Sequence, residues 1–150
     1  MRTISQRIGL GLVLVAAFIG TYALSTSADD GKPTYAPVAN IKNIMNAVNS
    51  EEGGLFGMMK TDCKTGGLDS KGWNLMRHRA AIVAEAGNIL MQLDPPKGEA
   101  DSWRKYAAAF RDTVKKLKKP MIRRKADAVL AGLADVEKQC EACHKVHRPE

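Results

Sequence analysis

After Asp30 the apolar residues recur every three to four positions, and runs that alternate apolar with polar are nearly absent. That period predicts amphipathic helices, and clusters of glycine and proline divide them. Pro37 suits the first turn of a first helix, whose stripe runs Val38, Ile41, Met45 and Val48 with Ile44 beside it. Gly53-Gly54 and Gly57 weaken or end it, and Leu55, Phe56, Met58 and Met59 continue it only as a distorted turn. Residues 61–72, with Gly66-Gly67, read as a loop. A second helix is expected from Ser70 or Lys71 to Leu93, opened by Trp73, with Leu75, His78, Ile82, Ala86, Ile89 and Leu93 on its stripe. Asp94-Pro95-Pro96-Lys97-Gly98 stops it. A third begins at Ala100 or Asp101 and turns Trp103, Tyr106, Phe110, Val114 and Leu117 one way. Pro120 falls at the start of the fourth, which carries Ala126, Val129, Leu130, Leu133 and Val136 into Cys140. Short connections make neighbours antiparallel, so the expected fold is all-α, an up-down-up-down four-helix bundle.

The segment before Asp29 has a different character. Arg2 and Arg7 precede an uncharged apolar run from Ile8 to Leu24, and Ser25-Thr26-Ser27-Ala28 follow it. This reads as an export signal, residues 1–28, cleaved after Ala28, leaving one domain at 29–150 in the periplasm. The run of 17 residues is at the lower edge of spanning length, so an uncleaved anchor is the alternative. After cleavage no stretch is apolar enough to span a bilayer. Losing Arg2 and Arg7 takes the formal charge from +7 to +5. An exported chain is a poor candidate for nucleic acid. The basic run Lys115, Lys116, Lys118, Lys119, Arg123, Arg124 and Lys125 reads first as a solvated corner, and otherwise as a docking patch for an acidic redox partner.

Cys140-Glu141-Ala142-Cys143-His144 is C-x-x-C-H, the attachment sequence for c-type haem. Two thiols add across the porphyrin vinyl groups, and the adjacent imidazole becomes the proximal iron ligand. On a helix the three residues stand at i, i+3 and i+4, on one face. Two other readings compete: a zinc site formed by Cys140, Cys143, His144 and His147, and a redox disulfide between Cys140 and Cys143. Zinc ligands usually come in two separated pairs, and no second pair exists here. Redox C-x-x-C pairs normally open a helix near a βαβ pattern, which is absent.

An exported four-helix chain with C-x-x-C-H in its last turns resembles the class II cytochromes c, the cytochrome c′ proteins and their low-spin, methionine-ligated relatives. The resemblance covers the whole region after the leader. It rests on Cys140, Cys143, His144 and Arg148, with Trp73 and Trp103 early in the second and third helices. It departs at His147, where the family usually has an aromatic residue. It departs again at Ile41, where the first helix usually carries an Arg that contacts a haem propionate, and Lys42 is the candidate for that contact. The resemblance implies one covalent haem c, no catalytic residues and no enzymatic activity. It also raises a homodimer through the first two helices.

The distal ligand separates electron transfer from gas binding. Met45 is the leading candidate, on the first-helix stripe where relatives place a ligating Met or a blocking Leu or Phe. Met58 and Met59 follow the glycines and are weaker candidates. His78 is a second possibility, although Arg77 and Arg79 flank it, and a lone helical His is more often packed than ligating. His147 is expected at the solvent-facing end of the bundle. Cys63 is expected exposed in its polar loop, free or paired to a second chain. A one-electron carrier between redox proteins is therefore the expected function. The alternatives are a five-coordinate protein that binds nitric oxide or carbon monoxide, and a zinc-stabilised module without haem.

Overall fold

The computed structural model describes residues 35–50 and 53–149, which belong to one unit beginning at Tyr35. The leader expected at 1–28 lies outside the described residues. The described residues are all-helical, without a strand. In order they form α1 (Ile41–Asn49), α2 (Leu55–Thr65), α3 (Ser70–Leu90), α4 (Ala100–Lys116), a short α5 (Lys118–Ile122) and α6 (Ala126–His147).

Local chemistry sets these boundaries. Asn40 caps α1 by accepting from the amide of Asn43 at 2.9 Å, and Asp69 caps α3 by accepting from Gly72 at 2.8 Å. Between α1 and α2, a Cβ on Gly54 would meet the backbone nitrogen of Ser50 at 2.5 Å, so only glycine lets the chain turn this tightly. Gly66 ends α2 with φ +73°.

Several expectations are corrected here. Pro37 and Val38 precede the first helix, and Val38 is fully exposed. The distorted turn after the glycines is a regular helix, α2, which runs to Thr65 and takes in the first five residues of the expected loop. Cys63 is therefore buried, not exposed: with Phe56 and Met59 it follows a 3–4 spacing on the inward face of α2. Its Sγ lies 3.8 Å from Met76 Sδ in α3. The inward face of α3 differs in its first half, whereas Ala86 is buried and Ile89 and Leu93 pack on the core as expected. Trp73, Met76, Ala80, Val83, Gly87 and Leu90 face the core, while Leu75 is 48% and Ile82 58% exposed and His78 is on the solvent side. Apolar residues surround α3 on all sides, so periodicity alone did not select its buried face. At Gly87 the missing side chain admits α4, whose Arg111 Cβ would lie 2.8 Å from a Cβ there.

The packed pairs are α2 on α3, α3 on α4, α4 on α6 and α6 on α2, with α1 resting on α2 and α3. The pairs α2–α3, α3–α4 and α4–α6 run antiparallel. Asp62 pairs with Arg79, Gly87 meets Arg111 and Ser102 meets His147. The indole N–H of Trp103 donates at 2.7 Å to the carbonyl of Leu90 at the end of α3, which also accepts from the Leu93 amide at 3.2 Å. Lys60 and Glu137 join α2 to α6 at 2.5 Å. Trp103, Phe110, Val114 and Leu117 on one side and Val129, Leu133 and Val136 on the other are buried as expected. Full burial of each such aliphatic side chain contributes about 1.5–3 kcal/mol.

Candidate functional site

The inward seam of α6 reads Ala126, Val129, Leu133, Val136, Cys140, Cys143 and His147, with spacings alternating between three and four. Both cysteines of the C-x-x-C-H motif therefore continue an apolar core stripe. The cover over this seam is not uniform. Val129, Leu133 and Val136 are fully buried and His147 is 1% exposed, yet Cys140 and Cys143 between them are only half-buried. The seam opens at the two thiols. His144, beside Cys143, is exposed.

All three groups titrate away from their ordinary values. Burial pushes the Cys140 thiol up to about 11, and the neighbouring Cys143, Glu137 and Glu141 add to the shift. Burial also raises the Cys143 thiol. Redox-active C-x-x-C cysteines need the opposite shift, toward thiolate. The two thiols are free and not joined. Partial burial of its ring, then the charge of Arg148, lowers the His144 imidazole, favouring the neutral form that ligates a metal. Arg148 caps α6, and its amide donates to the His144 carbonyl at 3.1 Å.

His147 is not at a solvent-facing end. It is buried, with Nδ1 2.7 Å from the Lys97 carbonyl and Nε2 3.1 Å from Ser102 Oγ. Trp103 and Tyr106 contact its ring edge-on, with centroids 5.5 Å and 5.6 Å away. The expectation of exposure overlooked the seam spacing, which already placed position 147 inward. Both ring nitrogens are engaged, so His147 is not available as a fourth zinc ligand. Among the described residues no group of three or more His, Cys, Asp or Glu side chains is placed to hold a metal ion.

The residues expected on the distal side sit elsewhere. Met45 and Ile41 are half-buried on α1 against the core cluster, and Lys42 is exposed one position from Ile41. Helix α1 packs on α2 and α3 and not on α6, so Met45 and His144 are not brought together directly. Met58 is exposed and Met59 fully buried in α2. His78 stands on the outer face of α3. Thus Cys140, Cys143, His144 and Arg148 form one cluster, and Met45 and Lys42 belong to another helix. No helix among the described residues is long and apolar enough to cross a membrane. Compared with protein-family models, with curated proteins and with solved structures, the chain matches none.

Proposed function

We propose that the protein is an exported monohaem c-type cytochrome of the class II kind, and that it carries one electron at a time between larger redox proteins. In this reading α2, α3, α4 and α6 form the four-helix bundle, with α1 extending its first arm. The carrying observation is the opening in the α6 seam at Cys140 and Cys143, between the fully covered Val136 and His147 and next to His144. A flat apolar group bound there would cover apolar surface that the helices leave half-exposed.

Bound haem supplies a one-electron couple. Cys140 and Cys143 would hold it through thioethers, and His144 would ligate its iron. Met45 is the proposed distal ligand, and Lys42 and Arg148 are the cations proposed for its propionates.

The second reading, a five-coordinate protein that binds nitric oxide or carbon monoxide, draws on one observation: α1 does not pack on α6. A reduced-minus-oxidised spectrum, taken with and without carbon monoxide, separates the two. Sharp α and β bands unchanged by carbon monoxide support the electron carrier. Broad bands that shift with carbon monoxide support the gas binder. A colourless exported protein removes both.

A further inference from the structure

Seven cations stand between positions 115 and 125, and no acid occurs from 113 to 126. The structure gathers most of them on one face. Leu117 and Met121 point inward and are buried, so the α5 turn forms a platform fixed to the core. Outward from it, Lys115, Lys116, Lys118, Lys119 and Arg123 line an open concavity of about 480 Å³ together with Ile122, which is 57% exposed. Two acids stand at its edge: Asp112, 3.8 Å from Lys115 and held chiefly by Arg111, and Asp135, which feels Lys116 and is held chiefly by Lys138.

This face is far from the attachment cysteines. Ala126 begins α6 and Cys140 lies fourteen positions along the same helix. At about 1.5 Å per residue they are separated by roughly 21 Å along the axis. A redox protein seated on the cations would not have its redox group at the haem edge.

We propose that this face docks the protein on an anionic membrane surface, leaving the Cys140–His144 end turned away toward its partners. The composition favours lipid over an acidic protein. Lysine is depleted from protein–protein interfaces, whereas here it supplies four of the five cations lining the concavity. No lining side chain other than the cations is polar, so directional hydrogen-bond recognition is missing. Flexible point charges around one exposed aliphatic residue suit a fluid sheet of phosphates, where cations act additively and an apolar tip enters the head-group layer. Binding to the lipid surface stands without haem; only the orientation of the Cys140–His144 end rests on the redox reading.

The test is co-sedimentation of the exported protein with vesicles of phosphatidylcholine alone, or of phosphatidylcholine mixed with phosphatidylglycerol. Binding is expected to the anionic vesicles at low salt and to be lost as salt rises. Lys118→Gln, Lys119→Gln and Arg123→Gln together should weaken binding on the order of a hundredfold, from about fivefold per cation. Ile122→Ser alone should weaken it roughly fivefold. All four positions are exposed, and unchanged helical circular dichroism confirms that the variants fold. Equal binding to neutral and anionic vesicles would overturn the proposal, since it would report an inserted leader. So would wild-type binding by the triple variant. A triple variant that slows electron exchange with an acidic redox protein, without any vesicle binding by the wild type, would make this a protein-docking face instead.

Discussion

The imidazole of His147 donates from Nδ1 to the carbonyl oxygen of Lys97 across 2.7 Å, joining the last turn of α6 to the loop between α3 and α4. A carbonyl can only accept, so Nδ1 carries the proton, and in the neutral ring Nε2 accepts from Ser102. The contact fixes the end of the helix one turn beyond the Cys140–His144 motif. His147→Ala removes both hydrogen bonds and two aromatic contacts and leaves a cavity. It should destabilise the protein by about 2–4 kcal/mol in chemical denaturation. His147→Phe restores the ring without the hydrogen bonds and should recover part of the loss. If alanine costs less than about 0.5 kcal/mol, within the range of ordinary surface changes, His147 does not pin the helix.

Gly87 gives an opposite sign from helix propensity. In an ordinary exposed helix, Gly→Ala stabilises by up to about 1 kcal/mol. A Cβ at Gly87 would lie 2.8 Å from Arg111 Cβ and 3.0 Å from the Ala107 carbonyl oxygen, both in α4. These atoms move only if the helices separate. Gly87→Ala should therefore destabilise by about 1–3 kcal/mol. A higher melting temperature in the variant would mean that α3 and α4 do not approach this closely.

Helices α4 and α6 were legible in the sequence because their apolar residues occupy one face. Trp103, Phe110 and Val114, and Val129, Leu133 and Val136, are all buried as expected. The first half of the inward face of α3 was not legible: Leu75 and Ile82 compete with Met76 and Val83, and the close approach of α4 at Gly87 comes from residues far along the chain. Gly53 and Gly54 weaken or end the first helix in the sequence, with only a distorted turn after them, yet they separate α1 from a regular α2. The helical placement of Cys140, Cys143 and His144 was legible because their spacing is local. The partners of His147 were not, because Lys97 and Ser102 lie 50 and 45 residues earlier in the chain.

Thiol chemistry should follow the same geometry. Haem-free protein, made where haem is not attached, has three thiols in raised-pKa environments. Cys140 is pushed up to about 11 in the fold, from an ordinary value of 9.0. A raised value favours the protonated form in the folded state, so its contribution is complete below about pH 9. It is lost as pH rises toward 11. Haem-free protein should lose stability across that window, and Cys140→Ser should flatten the loss. Alkylation at neutral pH should be slow at all three positions and slowest at Cys63, the only fully covered thiol of the three. Rapid modification of Cys63 in folded protein would contradict its place between α2 and α3.

Met45 carries the last prediction. It sits half-buried on α1, at the position where the class II resemblance puts the distal residue, but α1 does not pack on α6. If Met45 ligates, its thioether closes the sixth position and raises the reduction potential. Met45→Ala should then convert a low-spin spectrum to high-spin, lower the potential and open the iron to carbon monoxide. The loss of packing is small, because the side chain is not fully covered, so the variant should remain folded and coloured. A wild type that is already high-spin and binds carbon monoxide makes Met45 a packing residue and favours the gas-binding reading. A wild type that is low-spin, with a variant that stays so, assigns the sixth position to another side chain. His78 is then the first to substitute with alanine, although reaching the iron would require the outer face of α3 to turn inward.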